Sequence, residues 1–169
     1  MSSGKMNILV GVDFSDTAAV AMYHALSLAE LTSAVLHLVH VVPALHSGQQ
    51  TRSSIREESE ELESVPARLL EWVREQCAAD STLGNHRVVT HVRTGAPAEA
   101  LAQLCVDVNA QLLVVGTHQR TGVKRLALGS IAEGIIRHAR CPVLVAHPID
   151  YAGLVPTQHP DPPCAECAA

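Results

Sequence analysis

Short runs rich in branched aliphatic residues alternate with helical patterns along most of this chain, and that alternation admits few architectures. Residues 7–12 form the first run, which Gly11-Val12-Asp13-Phe14-Ser15-Asp16 breaks with polar groups suited to capping a helix. Residues 17–31 then place Val20, Ala21, Ala25, Leu28 and Ala29 at helical spacing, and residues 35–42 read as a second strand containing Leu36, Leu38, Val39, Val41 and Val42. Residues 87–93 and 111–116, and the run from Pro142 to Ala146, complete five strands. Between them the pattern predicts a long helix over about 55–79, a helix starting at Gly95-Ala96-Pro97-Ala98-Glu99, and another over about 130–138. Pro97 suits a first helical turn and Glu99 the positive end of its dipole. Pro66, which has no N–H, predicts a kink or a split in the long helix, and the charge run at 56–63 reads as a solvated face.

Strands that alternate with helices throughout predict an α/β fold, a five-stranded doubly wound parallel sheet in the order 3-2-1-4-5 with helices on both faces. Composition agrees: the chain is 47% hydrophobic but only 2% aromatic, so its core is built from Leu, Val, Ile and Ala, as in strands buried on both faces. The 169 residues suit one α/β domain over 1–148, followed by a proline- and cysteine-containing tail, 149–169, that is expected to be disordered. Residues 43–54 read as a loop.

A net charge of -5 argues against a nucleic-acid partner, and no apolar run reaches the roughly 18 residues that span a bilayer. The first residues lack the apolar core of a signal peptide, so the expected location is the cytoplasm. Five cysteines, an odd number, do not read as a secreted disulfide framework, and Cys77, Cys105 and Cys141 read as small core fillers.

In that strand order the first and fourth strands are neighbours across the topological switch point, where ligands bind beyond the carboxyl ends. The fourth strand runs into Gly116-Thr117-His118-Gln119-Arg120-Thr121-Gly122-Val123-Lys124-Arg125-Leu126-Ala127-Leu128-Gly129-Ser130, a glycine-bearing loop leading into a helix. The N–H groups of such a loop and of the next helix's first turn suit phosphate oxygens. Asp13, expected at the end of the first strand, reads either as an acceptor for ribose hydroxyls or as a helix cap, a role that Ser15 and Asp16 also fit. Gly129 and Ser130 offer phosphate donors or a simple N-cap, and Arg120, Lys124 and Arg125 add positive charge or are ordinary surface cations. The loop lacks Walker A spacing, and neither G-x-G-x-x-G after the first strand nor G-x-S-x-G nor H-E-x-x-H occurs. With no group clearly placed to activate water, fast ATP hydrolysis is not expected. In the tail, Cys164 and Cys167, with His159 nearby, read as a candidate soft-metal or redox pair or as two free thiols.

Val12-Asp13-Phe14-Ser15, Leu38-Val39-His40-Val41-Val42, Gly95-Ala96-Pro97, Val115-Gly116-Thr117-His118 through Gly129-Ser130, and Arg140-Cys141-Pro142-Val143-Leu144-Val145 together resemble the universal stress protein family over about 7–146. The resemblance implies a stress-response module and a homodimer through the fifth strand, acting with a further protein partner that the sequence does not identify. It also implies a crevice for ATP or another adenine nucleotide, with Mg accompanying it. Asp13 and Gly116 would hold the ribose, Val41 the adenine, and Gly129, Ser130 and Ile131 the phosphates, with Val12, Ser15, Thr117 and Arg120 completing the set.

The family's nucleotide-binding branch carries G-x2-G-x9-G-[ST], and here those positions are Gly116, Gln119 and Gly129-Ser130. Gln119 departs from the pattern and resembles the branch that does not bind ATP, whereas Gly129-Ser130 resembles the branch that does. A side chain at a left-handed position costs about 1–2 kcal/mol. A phosphate pushed off one N–H forfeits roughly 0.5–1.5 kcal/mol more, so the expected loss is on the order of ten- to several-hundredfold in affinity. A dimeric adaptor with a vestigial crevice is the competing expectation.

Overall fold

The computed structural model describes residues 5–44, 52–79, 86–117 and 130–148. The elements run β1 (Asn7–Gly11), α1 (Asp16–Thr32), β2 (Val35–Val42), α2 (Arg52–Ala79), β3 (Val88–Thr94), α3 (Pro97–Asp107), β4 (Leu112–Gly116), α4 (Ser130–His138) and β5 (Val143–Ala146). The strands form one parallel sheet in the order β3-β2-β1-β4-β5, as the strand and helix pattern predicts.

Alternation along the strands divides the core into two layers. Ile8, Val10, Leu36, Leu38 and Val114 meet α1 through Ala21, Met22, Ala25 and Ala29, and α2 through Leu69 and Val73. The intervening residues, Leu9, Val39, Leu113 and Val115, meet Leu101, Leu104 and Cys105 of α3 and Ile135 of α4 on the other face. The alanine stripe of α1 lets that helix lie close to the sheet, which is how a chain with so few aromatics fills its interior.

Two sequence expectations need correction. The long helix begins at Arg52 rather than Ile55, so it takes in residues read as loop, and it runs through Pro66 without splitting. Pro66 leaves the Leu62 carbonyl without its helical donor, but Leu62 is exposed and water can serve it, while Val65 and Leu69 on either side are fully buried and hold the helix down. The first strand ends at Gly11, before Val12 and Asp13. Of the cysteines read as core fillers, Cys105 is buried, whereas Cys77 and Cys141 are half-buried at the edges of the two layers. The tail, 149–169, and the loop residues 45–51 lie outside the described residues.

On the edge strand β3 and its neighbour β2, His91 and His37 stack at 5.2 Å between ring centroids and 22° between planes. Nδ1 of His37 lies 2.9 Å from Nε2 of His91, so one neutral imidazole donates to the other. Burial first, then the Arg87 charge, holds His37 below its ordinary 6.5. Burial, then His37 and Arg93, does the same for His91. The unfolded chain therefore takes up these protons at a higher pH than the folded chain. The pair's contribution is full above the unfolded value and is lost as pH falls through the lowered folded values. Stability in urea should fall between about pH 7 and about pH 5, and His91→Gln should flatten that slope; an unchanged slope in the variant would contradict this account.

Candidate functional site

The crevice at the carboxyl end of the sheet has two walls, one from the β1–α1 connection and one from the end of β4. On the first wall, Val12 is buried; its N–H donates to the Val39 carbonyl at 2.8 Å, and its own carbonyl accepts from His40 Nδ1 at 2.7 Å. A carbonyl only accepts, so that contact fixes the proton of His40 on Nδ1. Phe14 follows with φ +62°, a left-handed backbone that a bulky residue adopts only when its surroundings hold it there. Here the ring packs on His40 at 4.7 Å and meets Trp72 edge-on at 6.3 Å, with the Arg68 guanidinium 3.9 Å from its centroid. The chain has one Phe and one Trp, and both are used at this corner.

The reversal at Phe14 leaves Asp13 exposed at the mouth. Its Oδ1 accepts the Ser15 N–H at 3.0 Å and also the Ser15 hydroxyl. Ser15 is the N-cap of α1, its hydroxyl accepting from Ala18 N at 3.2 Å. The capping reading is therefore realised in Ser15, with Asp13 bracing the cap rather than ending the strand.

Gly116 and Thr117 form the second wall. A Cβ on Gly116 would lie 2.5 Å from the Thr17 carbonyl oxygen and 2.9 Å from the Ala18 nitrogen, so the end of β4 sits directly on the first turn of α1. Only glycine allows that approach. Thr117 donates its N–H to the Ala146 carbonyl at 3.2 Å. The residue is 5% exposed, and its hydroxyl has no hydrogen-bond partner among the described residues. Buried hydroxyls are nearly always satisfied, so this one marks a place where a ligand or water belongs.

Parallel pairing of β1 with β4 brings these walls together, with Val10, one residue before the end of β1, opposite Val114, two before the end of β4. Val41, near the end of β2, packs against the α3 and α4 layer. α4 starts at Ser130, described through its backbone, with its first-turn N–H groups at the sheet's carboxyl end, and Ile131 is half-exposed there. The structure thus gathers Val12, Asp13, Ser15, Gly116 and Thr117 around one mouth. Gln119, Arg120 and Gly129, with Lys124 and Arg125, lie outside the described residues, as do His159, Cys164 and Cys167 of the tail. Phe14, His40, Arg68 and Trp72 were not legible as site residues, because Phe14 and Trp72 come together only through the fold. Among the described residues no helix is long and apolar enough to cross a membrane.

Gly116→Ala should destabilise the chain by roughly 1–3 kcal/mol or more, read from the urea midpoint at unchanged slope, because the new methyl meets backbone rather than a side chain that can swing away. Wild-type stability in that variant would show that β4 and α1 do not meet this closely.

The sequence model described as the universal stress protein family matches residues 5–147. A universal stress protein of Methanocaldococcus jannaschii is 31% identical over 147 residues, which are 82% of this chain and 79% of that protein. Among solved structures, the universal stress protein UspA from Lactobacillus plantarum superposes with a TM-score of 0.69 at 26% identity, covering 86% of this chain and all of the other. A universal stress protein in complex with cAMP superposes at 0.60, also with 26% identity, over 84% of this chain and 97% of the other. With matching strand order and a family match that extends over nearly every described residue, this chain belongs to the universal stress protein family.

Proposed function

We propose that the crevice binds an adenine nucleotide, ATP foremost, and that the chain is a cytoplasmic stress-response module that senses or stores it. The observation that carries this reading is the Thr117 hydroxyl, buried at the carboxyl end of β4 and without a partner among the described residues. An unsatisfied buried hydroxyl costs about 1–3 kcal/mol, which a nucleotide oxygen in the crevice would offset. Asp13 stands at the mouth as an acceptor for ribose hydroxyls with Val12 beneath it, Val41 supplies apolar surface for the base, and α4 presents its N-terminus to the phosphates. A family member of the same fold holds cAMP, which supports the adenine nucleotide class. Magnesium, in this reading, arrives with the phosphates, and hydrolysis is at most slow.

One feature favours the second reading, a dimeric adaptor that binds no nucleotide: Gln119 stands where the nucleotide-binding pattern has glycine. Both readings share a homodimer. Among the described residues β5 pairs only with β4 and is therefore a sheet edge, and Leu144 on it is 36% exposed. Pairing β5 with its copy in a second chain covers an edge that would otherwise invite aggregation, and sedimentation at micromolar concentration should show a dimer. A monomer there would remove that part of the proposal. For the tail pair, Cys164 and Cys167 with His159, no geometry is described.

Titration calorimetry with ATP, ADP and AMP tests the main reading. Wild type should bind, Gln119→Gly should bind on the order of ten- to several-hundredfold more tightly, and Thr117→Val should bind roughly two- to tenfold more weakly. Absence of heat and of thermal shift at millimolar nucleotide, in wild type and in Gln119→Gly alike, would leave the adaptor reading.

A further inference from the structure

β2 and β3 pair in parallel, with His37 beside Val89 and His91 beside Val39. Alternate residues of a strand share a face, so both histidines lie on the face of Val39 and Val41, toward α3 and α4. Leu101, Leu104 and Ile135 cover that face over Leu9 and Leu113, at the middle of the sheet. Further out, toward the β3 edge, the two imidazoles are only half-buried, so solvent reaches them. Nδ1 of His37 and Nε2 of His91 face each other at 2.9 Å. Two imidazoles set nitrogen to nitrogen from separate strands make a hydrogen-bonded pair, and equally two ligands of a metal site.

We propose that His37 and His91 bind a divalent transition-metal ion of tetragonal preference, copper(II) or nickel(II), as adjacent ligands, with water completing its coordination. The spacing favours that class. For an ion about 2.0–2.1 Å from each nitrogen, ligands at a right angle lie about 2.9 Å apart, and tetrahedral ones about 3.3–3.4 Å. The observed separation matches the right angle. Magnesium and calcium take oxygen ligands and do not suit the pair. Among the described residues no third histidine, cysteine or carboxylate completes a cluster around it, so the remaining positions fall to water.

Binding requires only local change. One of the two facing nitrogens carries the proton of the hydrogen bond. That imidazole takes its other tautomer, moving the proton to its second ring nitrogen, and a turn of each ring points both lone pairs at the ion. No proton leaves the pair. Burial, and then the neighbouring arginines, holds both imidazoles below 6.5, in the uncharged form that a metal requires. Arg87 and Arg93 also repel a dication. Asp107 of α3, 3.8 Å from the Arg93 guanidinium, offsets part of that repulsion. Two protein ligands beside two cations make an exchangeable site, one that clasps the edge strand β3 to β2 when filled. His37 lies in the amino-terminal half of β2, away from the crevice, and this inference stands apart from the nucleotide reading.

Nickel(II) is the probe, since copper(II) oxidises thiols and the chain has five cysteines. Titrated into isotope-labelled full-length chain at neutral pH, it should broaden the resonances of His37, Val39, Val89 and His91 saturably, and EDTA should restore them. His37→Gln and His91→Gln should each weaken binding there about tenfold or more. If a variant does not fold, the wild-type broadening map decides alone. The proposal is overturned if broadening centres elsewhere, the tail with His159, Cys164 and Cys167 included, while β2 and β3 keep their signals. Undiminished binding in both folded variants would also overturn it, as would displacement of nickel(II) by an equal concentration of zinc(II), the mark of a tetrahedral site.

Discussion

The contact on which the site depends is backbone against backbone: the α-carbon of Gly116 at the end of β4 faces the Thr17 carbonyl in the first turn of α1. That approach seats the fourth strand against the helix that follows the first, and so sets the width of the crevice between them. Gly116 therefore has a packing role that holds whether or not a ligand is present. The ribose contact implied by family resemblance would come in addition to it. Directly after it, Thr117 continues pairing with β5 through its N–H and is left with a buried hydroxyl that no described residue satisfies.

The opposite wall is held by a different device. Phe14 sits in a left-handed conformation, a strain on the order of 1–3 kcal/mol for a residue of its size. Its ring is fixed by His40, Trp72 and the Arg68 guanidinium, drawn from β2 and α2. The reversal it makes leaves Asp13 at the mouth and delivers Ser15 to the α1 N-terminus as a cap. Strain at one residue is thus supported by long-range packing and spent on the placement of a carboxylate.

How much of this was legible in the sequence depended on how local the signal was. The bounds of β2 and α4 are as expected, because branched residues and helix-opening groups stand at their ends. Strand order followed from the alternation of elements, and the convergence of Asp13 with Gly116 followed from that order. The end of β1 was read too late, because the turn through Asp13 and Phe14 is enforced by side chains from β2 and α2. Pro66 was read as a kink or a split, since its missing N–H is a local fact, whereas the burial of Val65 and Leu69 that holds α2 in one piece is tertiary. Gln119 is legible as a departure, and its effect turns on a backbone angle that sequence does not fix.

The central claim is that the Thr117 hydroxyl and the Asp13 turn face one ligand. Titrating ATP into isotope-labelled protein while following the methyl resonances of Thr117 and Val12 tests it at the atoms concerned. Both should shift together and saturate with a single affinity, while those of Leu26 and Leu69, deep in the core, stay in place. Stationary Thr117 and Val12 signals at millimolar ATP, or saturable shifts confined to residues away from the crevice, would contradict it.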